Sequence, residues 1–442
     1  MAWYNKRVTV VLVSIFVPLF AVIFLFRTVC AVSFYGKLKN ITAGGQPATF
    51  GELNELYSIP DGVENAADVI IESFDHFAEW PEKEKNKLPG FSHSKMPAPS
   101  EPLTSEDKAL IASFVSDNRT AINMLHRAAK IEHSRYPVDL NEGFSVLLPH
   151  LGKIREGVKI LRLESMLDAE NDSAQEAMES VQTMIGVAES LHNEPMLISQ
   201  LVNIACQSVA IKSLERAVNR TDFSNDQLKK IDKVLSDILC DGIKNAFIGE
   251  RCCAADIYNM SASKRLEVLG GKGIIVVPMA ISRAVGFEYM QGCKHMEIMN
   301  NYIDLFDLPE HERIAAAKRV EDEIEALSNL NYTLKAFMPA LSKCVTLDLR
   351  HMAQIRTARM GIAAERFYLD KGYYPLSLDF LVPAYIDKVL FDPFDGKELR
   401  YKKLSCGFVV YSIGDDLRDN DGKPLDTNRT DQDWDVTFEV AM

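Results

Sequence analysis

The stretch "VTVVLVSIFVPLFAVIFLF", from Val8 to Phe26, contains no charged residue. In water a helix that is apolar on every side must be buried on every side. At about 1.5 Å per residue this one nearly crosses a hydrocarbon core of about 30 Å. It is longer than the apolar part of a cleaved signal peptide, about 7–15 residues. The run therefore reads as an uncleaved anchor within residues 1–34, with Pro18 tolerated inside it. Lys6 and Arg7 precede it, and Arg27, Lys37 and Lys39 follow, so flanking charge orients it weakly. The short leading segment favours an amino terminus inside the cell. That makes a single-pass protein of the cell membrane with its bulk on the non-cytoplasmic side. "GIIVVPMAI", from Gly273 to Ile281, is too short for a second span and contains Pro278.

The rest of the 442-residue chain is long enough, and at 47% hydrophobic residues apolar enough, to bury a large core. A net charge of -13 and the lack of any basic run argue against nucleic acid as a partner. Eight cysteines are scattered without a C-x-x-C pair, which argues against a zinc ribbon or a thioredoxin-like site and reads as free thiols.

The expected fold is mainly α: a transmembrane helix, a helical middle and a small α+β domain at the carboxyl end. Residues 35–104 read as a helical segment followed by a loop rich in Pro, Lys and Ser, from Pro81 to Leu103. Residues 105–340 read as a helical domain. "LGKIREGVKILRLESMLDAEN", "DSAQEAMESVQTMIGVAESLHN" and "PMLISQLVNIACQSVAIKSLERAVNR" all keep a helical period, in the style of a repeat array but without a repeat signature. Ser105 with the acids after it predicts a helix start.

Candidate chemistry in the middle is sparse. The nine histidines form no H-E-x-x-H and no spaced Cys/His cluster. "EHSRYPVDL", Glu132 to Leu140, groups an acid, His133 and Ser134, but adjacency in sequence does not make a triad. Glu250 and Arg251, with Asp256 farther on, read as structural ion pairing in a helix. "GGKG", Gly270 to Gly273, lacks the spacing of a phosphate loop.

From Leu341 the texture changes. A helix carrying Ile355, Met360, Ile362, Ala363 and Phe367 should stop at "KGYYP", where Gly372 suits a left-handed cap and Pro375 cannot continue a helix. "FDPFDGKELRYKKL" and "CGFVVYSI" predict a hairpin with Asp395–Gly396 at a turn, and "DVTFEV" a third strand. The ordered set "YYP", "LVPAYI", "DPFDGKELRY" and "GFVVYSIGDD" resembles the carboxyl-terminal domain of the major pseudopilin of type II secretion systems. The whole arrangement also resembles uncharacterised membrane-anchored envelope proteins of planctomycetes and their relatives. The pseudopilin resemblance covers about the last hundred residues. It implies a long helix on a small antiparallel sheet and calcium in the loop between the last strands. The implied ligands are the Ile413 carbonyl and the side chains of Asp416 and of Asp433 or Asp435, chemistry that suits a cation taking six to eight oxygens. Leu417 stands where that family has glycine, and neither its cleaved leader nor the glutamate of its membrane helix is present. "LRDNDGKPLDTN" is not an EF-hand, because Leu417 occupies the first ligand position.

These features predict a membrane-anchored envelope protein that works as an interaction or assembly module, not as an enzyme. Its partners would be other envelope or secretion-system proteins. A minor component of a type II secretion or pilus-like machine is one alternative. A hydrolase with a site between helices, near His133 or Glu250, is the other.

Overall fold

The computed structural model describes residues 2–91, 96–268, 276–328, 331–338, 340–424 and 434–441. Helix α1 (Ala2–Ala43) is a single helix that runs through Pro18. Its residues are exposed from Val13 to Val22 and again from Phe24 to Phe26. Farther along, Phe34 and Leu38 are buried in a core cluster with Phe247, Tyr258 and Met296. These two residues sit one turn apart on the same face, so burying them carries the helix on into the body. The apolar run therefore joins the body without a linker.

Short helices α2 (Phe50–Leu56), α3 (Ala66–Ser73) and α4 (Glu82–Lys85) follow. Thr49 and Glu52 close a capping box on α2. Next come α5 (Ser105–Asp117) and α6 (Arg119–Ala128). The cap of α5 is Thr104, one residue before the expected Ser105, and its hydroxyl accepts the Asp107 N–H at 3.0 Å. The described part of the loop before it is tied down. Leu88 is fully buried, and Arg216 donates to the carbonyls of Ala98 and Glu101 at 2.8 and 2.7 Å.

Helices α7 (His150–Ala169), α8 (Ala174–Glu189) and α9 (Leu197–Arg220) each pack on the other two, forming a three-helix bundle instead of a row of repeats. Period alone does not separate the two arrangements, because both bury one stripe per helix. α9 is also long and apolar enough to cross a membrane, but it is half buried in this bundle and carries buried Glu215 and Arg216. The bundle is extended by α10 (Asn225–Asp237) and α11 (Gly242–Asn259). Then come α12 (Ala262–Val268), α13 (Val276–Val285), α14 (Phe287–Asp304), α15 (Arg313–Ala326) and α16 (Tyr332–Phe337). Gly292 of α14 packs on α1 so closely that a Cβ there would lie 2.8 Å from the Phe34 ring.

Helix α17 (Leu341–Lys371) ends at Gly372, whose φ of +76° makes the expected left-handed cap. β1 (Arg400–Leu404), β2 (Gly407–Ser412) and β3 (Val436–Ala441) form an antiparallel sheet in the order β1-β2-β3. All three strands lie after Leu390, as expected. The hairpin turn is at Ser405–Cys406, between the paired Leu404 and Gly407. The Asp395–Gly396 turn instead closes a separate bridge, Phe391 with Glu398. Phe408, Val410, Phe438 and Val440 share one core with Ile355 of α17 and Leu214 of α9.

The outer edge of β3 is paired by side chains of α9. Lys212 Nζ donates to Thr437 O at 3.1 Å, and Glu215 Oε1 accepts from Glu439 N at 2.8 Å. Asn219 does both, donating to Glu439 O at 2.8 Å and accepting from Ala441 N at 2.7 Å. Positions 212, 215 and 219 share one helical face, so a single helix satisfies a strand edge that would otherwise be open to other strands.

Candidate functional site

The acidic loop leaves β2 and folds back over it. Gly422 lies against Val409 and Tyr411, on the side of β2 opposite Phe408 and Val410, and a Cβ there would meet those side chains at 3.0 and 3.1 Å. The loop thus lids the second face of the sheet. Asp435 anchors it. This side chain is 1% exposed; its Oδ2 accepts from Gly422 N at 2.8 Å and its Oδ1 from Asn420 N at 3.3 Å. Burial raises its pKa above the usual carboxylate range, the two amides oppose the rise, and Asp419 and Asp416 add to it. Asp416 accepts from Arg418 N at 2.9 Å and from Asn420 Nδ2 at 3.0 Å. Ile413 is buried, and its N–H donates to Asp392 at 3.0 Å.

Asp416 and Asp435 therefore lie in one loop and share Asn420, while Asp433 falls outside the described residues. Each carboxylate oxygen of the pair already accepts an N–H. Among the described residues no group of three His, Cys, Asp or Glu side chains is placed to hold a metal ion. Besides these amide donors, two ion pairs hold the loop, Arg350 with Asp415 at 2.9 Å and Lys402 with Asp421. The residue missed in the sequence is Asp392. It is fully buried and collects Ser412 Oγ at 2.8 Å, Phe394 N at 3.0 Å, Ile413 N at 3.0 Å and Arg400 at 2.6 Å. Its place after Phe391 in "FDPFDG" reads as part of a strand, with the turn at Asp395–Gly396.

The hydrolase candidates do not converge. His133 contributes its carbonyl, which accepts Ala66 N at 2.8 Å and ties the segment to α3. Glu250 accepts the N–H of Leu197, the first residue of α9, and burial pushes it up to about 7. Arg251 does not pair with it. The guanidinium reaches Asn300 at 2.8 Å and the Pro47 carbonyl at 3.1 Å, stapling α11 to α14 and to the segment after α1. "GGKG" lies outside the described residues.

A convergent polar group does exist, built from residues distant in sequence. Glu194 is fully buried between α8 and α9 and accepts from Tyr57 Oη at 3.1 Å and from Ser199 Oγ. His150 Nε2 lies 3.2 Å from it, and the His150 ring stacks on Tyr136 at 4.2 Å. Tyr57 Oη also accepts the Tyr136 N–H at 2.9 Å, and Tyr136 Oη meets Ser190 Oγ at 2.7 Å. These links join α2, α7, α8 and α9 in a closed, buried network. Its Ser199 hydroxyl is held by a carboxylate and not by the imidazole, unlike an activated nucleophile.

Among the described residues of the carboxyl-terminal part, an exposed apolar group spans the end of α17 and the turn after it. Leu369, Tyr373, Leu376 and Phe380 all face solvent, with Leu376 73% exposed. The chain there turns sharply at Gly372 and then forms a single 3-10 turn from Leu378 to Leu381, so these side chains are presented on a short, tight segment. No protein-family model, curated protein or solved structure matches this chain.

Proposed function

We propose that this chain is a membrane-anchored interaction module that displays an apolar docking patch to a partner protein of the same envelope, secretion-system proteins among the candidates. The supporting observation is the exposed set Leu369, Tyr373, Leu376 and Phe380, four large apolar side chains within twelve residues. Monomeric surfaces scatter such residues singly, whereas grouped ones mark docking sites. Helix α17 gives the patch reach. Its first residue, Leu341, shares a core with Phe34 and Leu38 of α1. Its 31 residues extend about 45 Å from that point. The bulk of the chain is proposed to lie on the non-cytoplasmic side, where protease added to spheroplasts would reach it.

A photo-crosslinking amino acid at position 376, in full-length protein in native membranes, tests this. A discrete protein adduct is expected, lost when Phe380 is also changed to Glu. An adduct that survives the change, or no adduct at all, refutes the patch as a docking site.

The pseudopilin likeness is proposed for the last hundred residues, supported by a long helix lying on a three-stranded antiparallel sheet. It carries the second reading, a minor component of a secretion or pilus-like machine, which co-purification with the secretion ATPase or platform proteins tests. Calcium at Ile413, Asp416, Asp433 and Asp435 is proposed on the same likeness. Its support is the crowding of Asp416 and Asp419 around buried Asp435.

A further inference from the structure

The last turn of helix α13, residues 281–285, exposes apolar side chains and buries a polar one. Ile281 is 57% exposed and Ala284 is exposed, while Ser282 between them is buried. Of the helices α13 packs on, α12 and α14 are joined beside it by a buried ion pair, Arg265 with Glu288 at 2.6 Å. The single charged residue of α13, Arg283, donates its guanidinium to the carbonyls of Asn259 and Met260 at the end of α11. A helix in water turns its apolar face inward. Exposed Ile281 and Ala284 with Ser282 turned inward is the arrangement expected when the surrounding solvent is lipid.

The position of α13 supplies the lipid. It packs beside α1. Its end is fixed by Gly286, which has a φ of +90° and sits so close to Arg27 that a Cβ would overlap that residue's Cα. Arg27 is the first charge after the apolar run. Beyond it, Val29 and Val32 of α1 are still exposed. Between Arg27 and Lys39 an open, mostly apolar groove of about 470 Å³ is lined by Tyr35 and Tyr289. Tyrosines and long basic side chains at the end of a span are the usual residents of the headgroup layer.

We propose that α13 lies in the interfacial layer of a phospholipid bilayer as an in-plane helix beside the span, with Tyr35 and Tyr289 at headgroup level and Arg27 reaching lipid phosphate. The proposal rests on the reading of α1 as the span. Two contacts with the bilayer, rather than one tether, fix the orientation of the body and hence the direction in which α17 points.

The full chain in nanodiscs of phosphatidylcholine with phosphatidylglycerol, one copy per disc, carries the test. In a Cys406→Ser background, which removes the one exposed thiol, an environment-sensitive fluorophore is placed at Ile281→Cys and separately at Ala284→Cys. Phe20→Cys in the span and Leu147→Cys, 80% exposed, are comparators. Shallow nitroxide lipids should quench both α13 labels several-fold more than aqueous iodide does, and the order should invert at position 147. Deep nitroxides should quench position 20. If both α13 labels behave like position 147 while position 20 is quenched by deep nitroxides, α13 is in water and the proposal falls while the anchor stands. If position 20 is reached by iodide, the anchor itself is wrong. If the α13 labels are shielded from lipid and iodide alike, protein covers α13 and the proposal also falls.

Discussion

The clamp between α9 and β3 can be tested through Asn219→Ala. The side chain of Asn219 accepts the Ala441 N–H at 2.7 Å and donates to the Glu439 carbonyl at 2.8 Å. Each such bond contributes about 0.5–1.5 kcal/mol net, so their loss costs about 2 kcal/mol. Alanine is the better helix former by about 0.5 kcal/mol, which leaves a net loss of about 1.5 kcal/mol. That is roughly tenfold in an opening equilibrium. Hydrogen exchange on the full chain should show the Ala441 amide exchanging about tenfold faster, with the amides of α7 and α8 unchanged. Lys212→Met removes the bond to Thr437 O and the 2.7 Å ion pair to Glu215, and it should loosen the same strand. Lys229→Ala, on an exposed position of α10, controls for helix propensity. If Ala441 exchange is unchanged in Asn219→Ala, Asn219 does not hold the edge of β3.

Glu365 is buried, accepts from Tyr374 Oη at 2.9 Å, and is pushed by burial from 4.5 up to about 7. Its folded form holds a proton that the unfolded chain releases near 4.5, so stability falls as pH rises from about 4.5 to about 7. Glu365→Gln removes that slope and should stabilise the protein at pH 8 by up to about 3 kcal/mol, with little effect at pH 4, in urea titrations at both pH values. Gly292→Ala would press a methyl into the buried Phe34 ring. A loss of about 1–3 kcal/mol is expected, read as a lower melting temperature, with α1 losing exchange protection at residues 34–38. For the acidic loop, binding of calcium to the folded form would stabilise it by about 2.7 kcal/mol at a hundredfold excess over the dissociation constant. The melting temperature should then be higher in calcium than in chelator, with most of the difference lost in Asp416→Ala. Identical melting curves would leave the loop held by its amide donors and ion pairs, without calcium.

The parts legible in the chain were those set by local pattern. The apolar run at Val8–Phe26, the helical periods, the stop at Gly372 and the three strands after Leu390 are each written within a dozen or so neighbouring residues, so period and turn chemistry suffice to read them. The acidic loop was also visible, and within it Asp416 and Asp435 both accept from Asn420. Which donors they would meet was not visible, since Asn420 and Gly422 become partners only once the loop folds back over β2.

The partnerships of greatest consequence join residues far apart in sequence. Glu194 gathers Tyr57 and His150, Asn219 pairs with Ala441, and Gly292 admits Phe34. No local pattern encodes such pairs, because each depends on how whole elements pack. Sequence alone determined that the chain carries an apolar helix long enough to cross a membrane and that helices precede a small sheet, because hydrophobic period and backbone stereochemistry act locally. Tertiary packing decided that the helix carrying the apolar run continues into the core, that α9 closes the sheet's open edge, and that Ile281 of α13 is exposed beside α1. The physical reason is that buried polar groups must find donors and acceptors wherever the fold brings them, and only the assembled chain sets those distances.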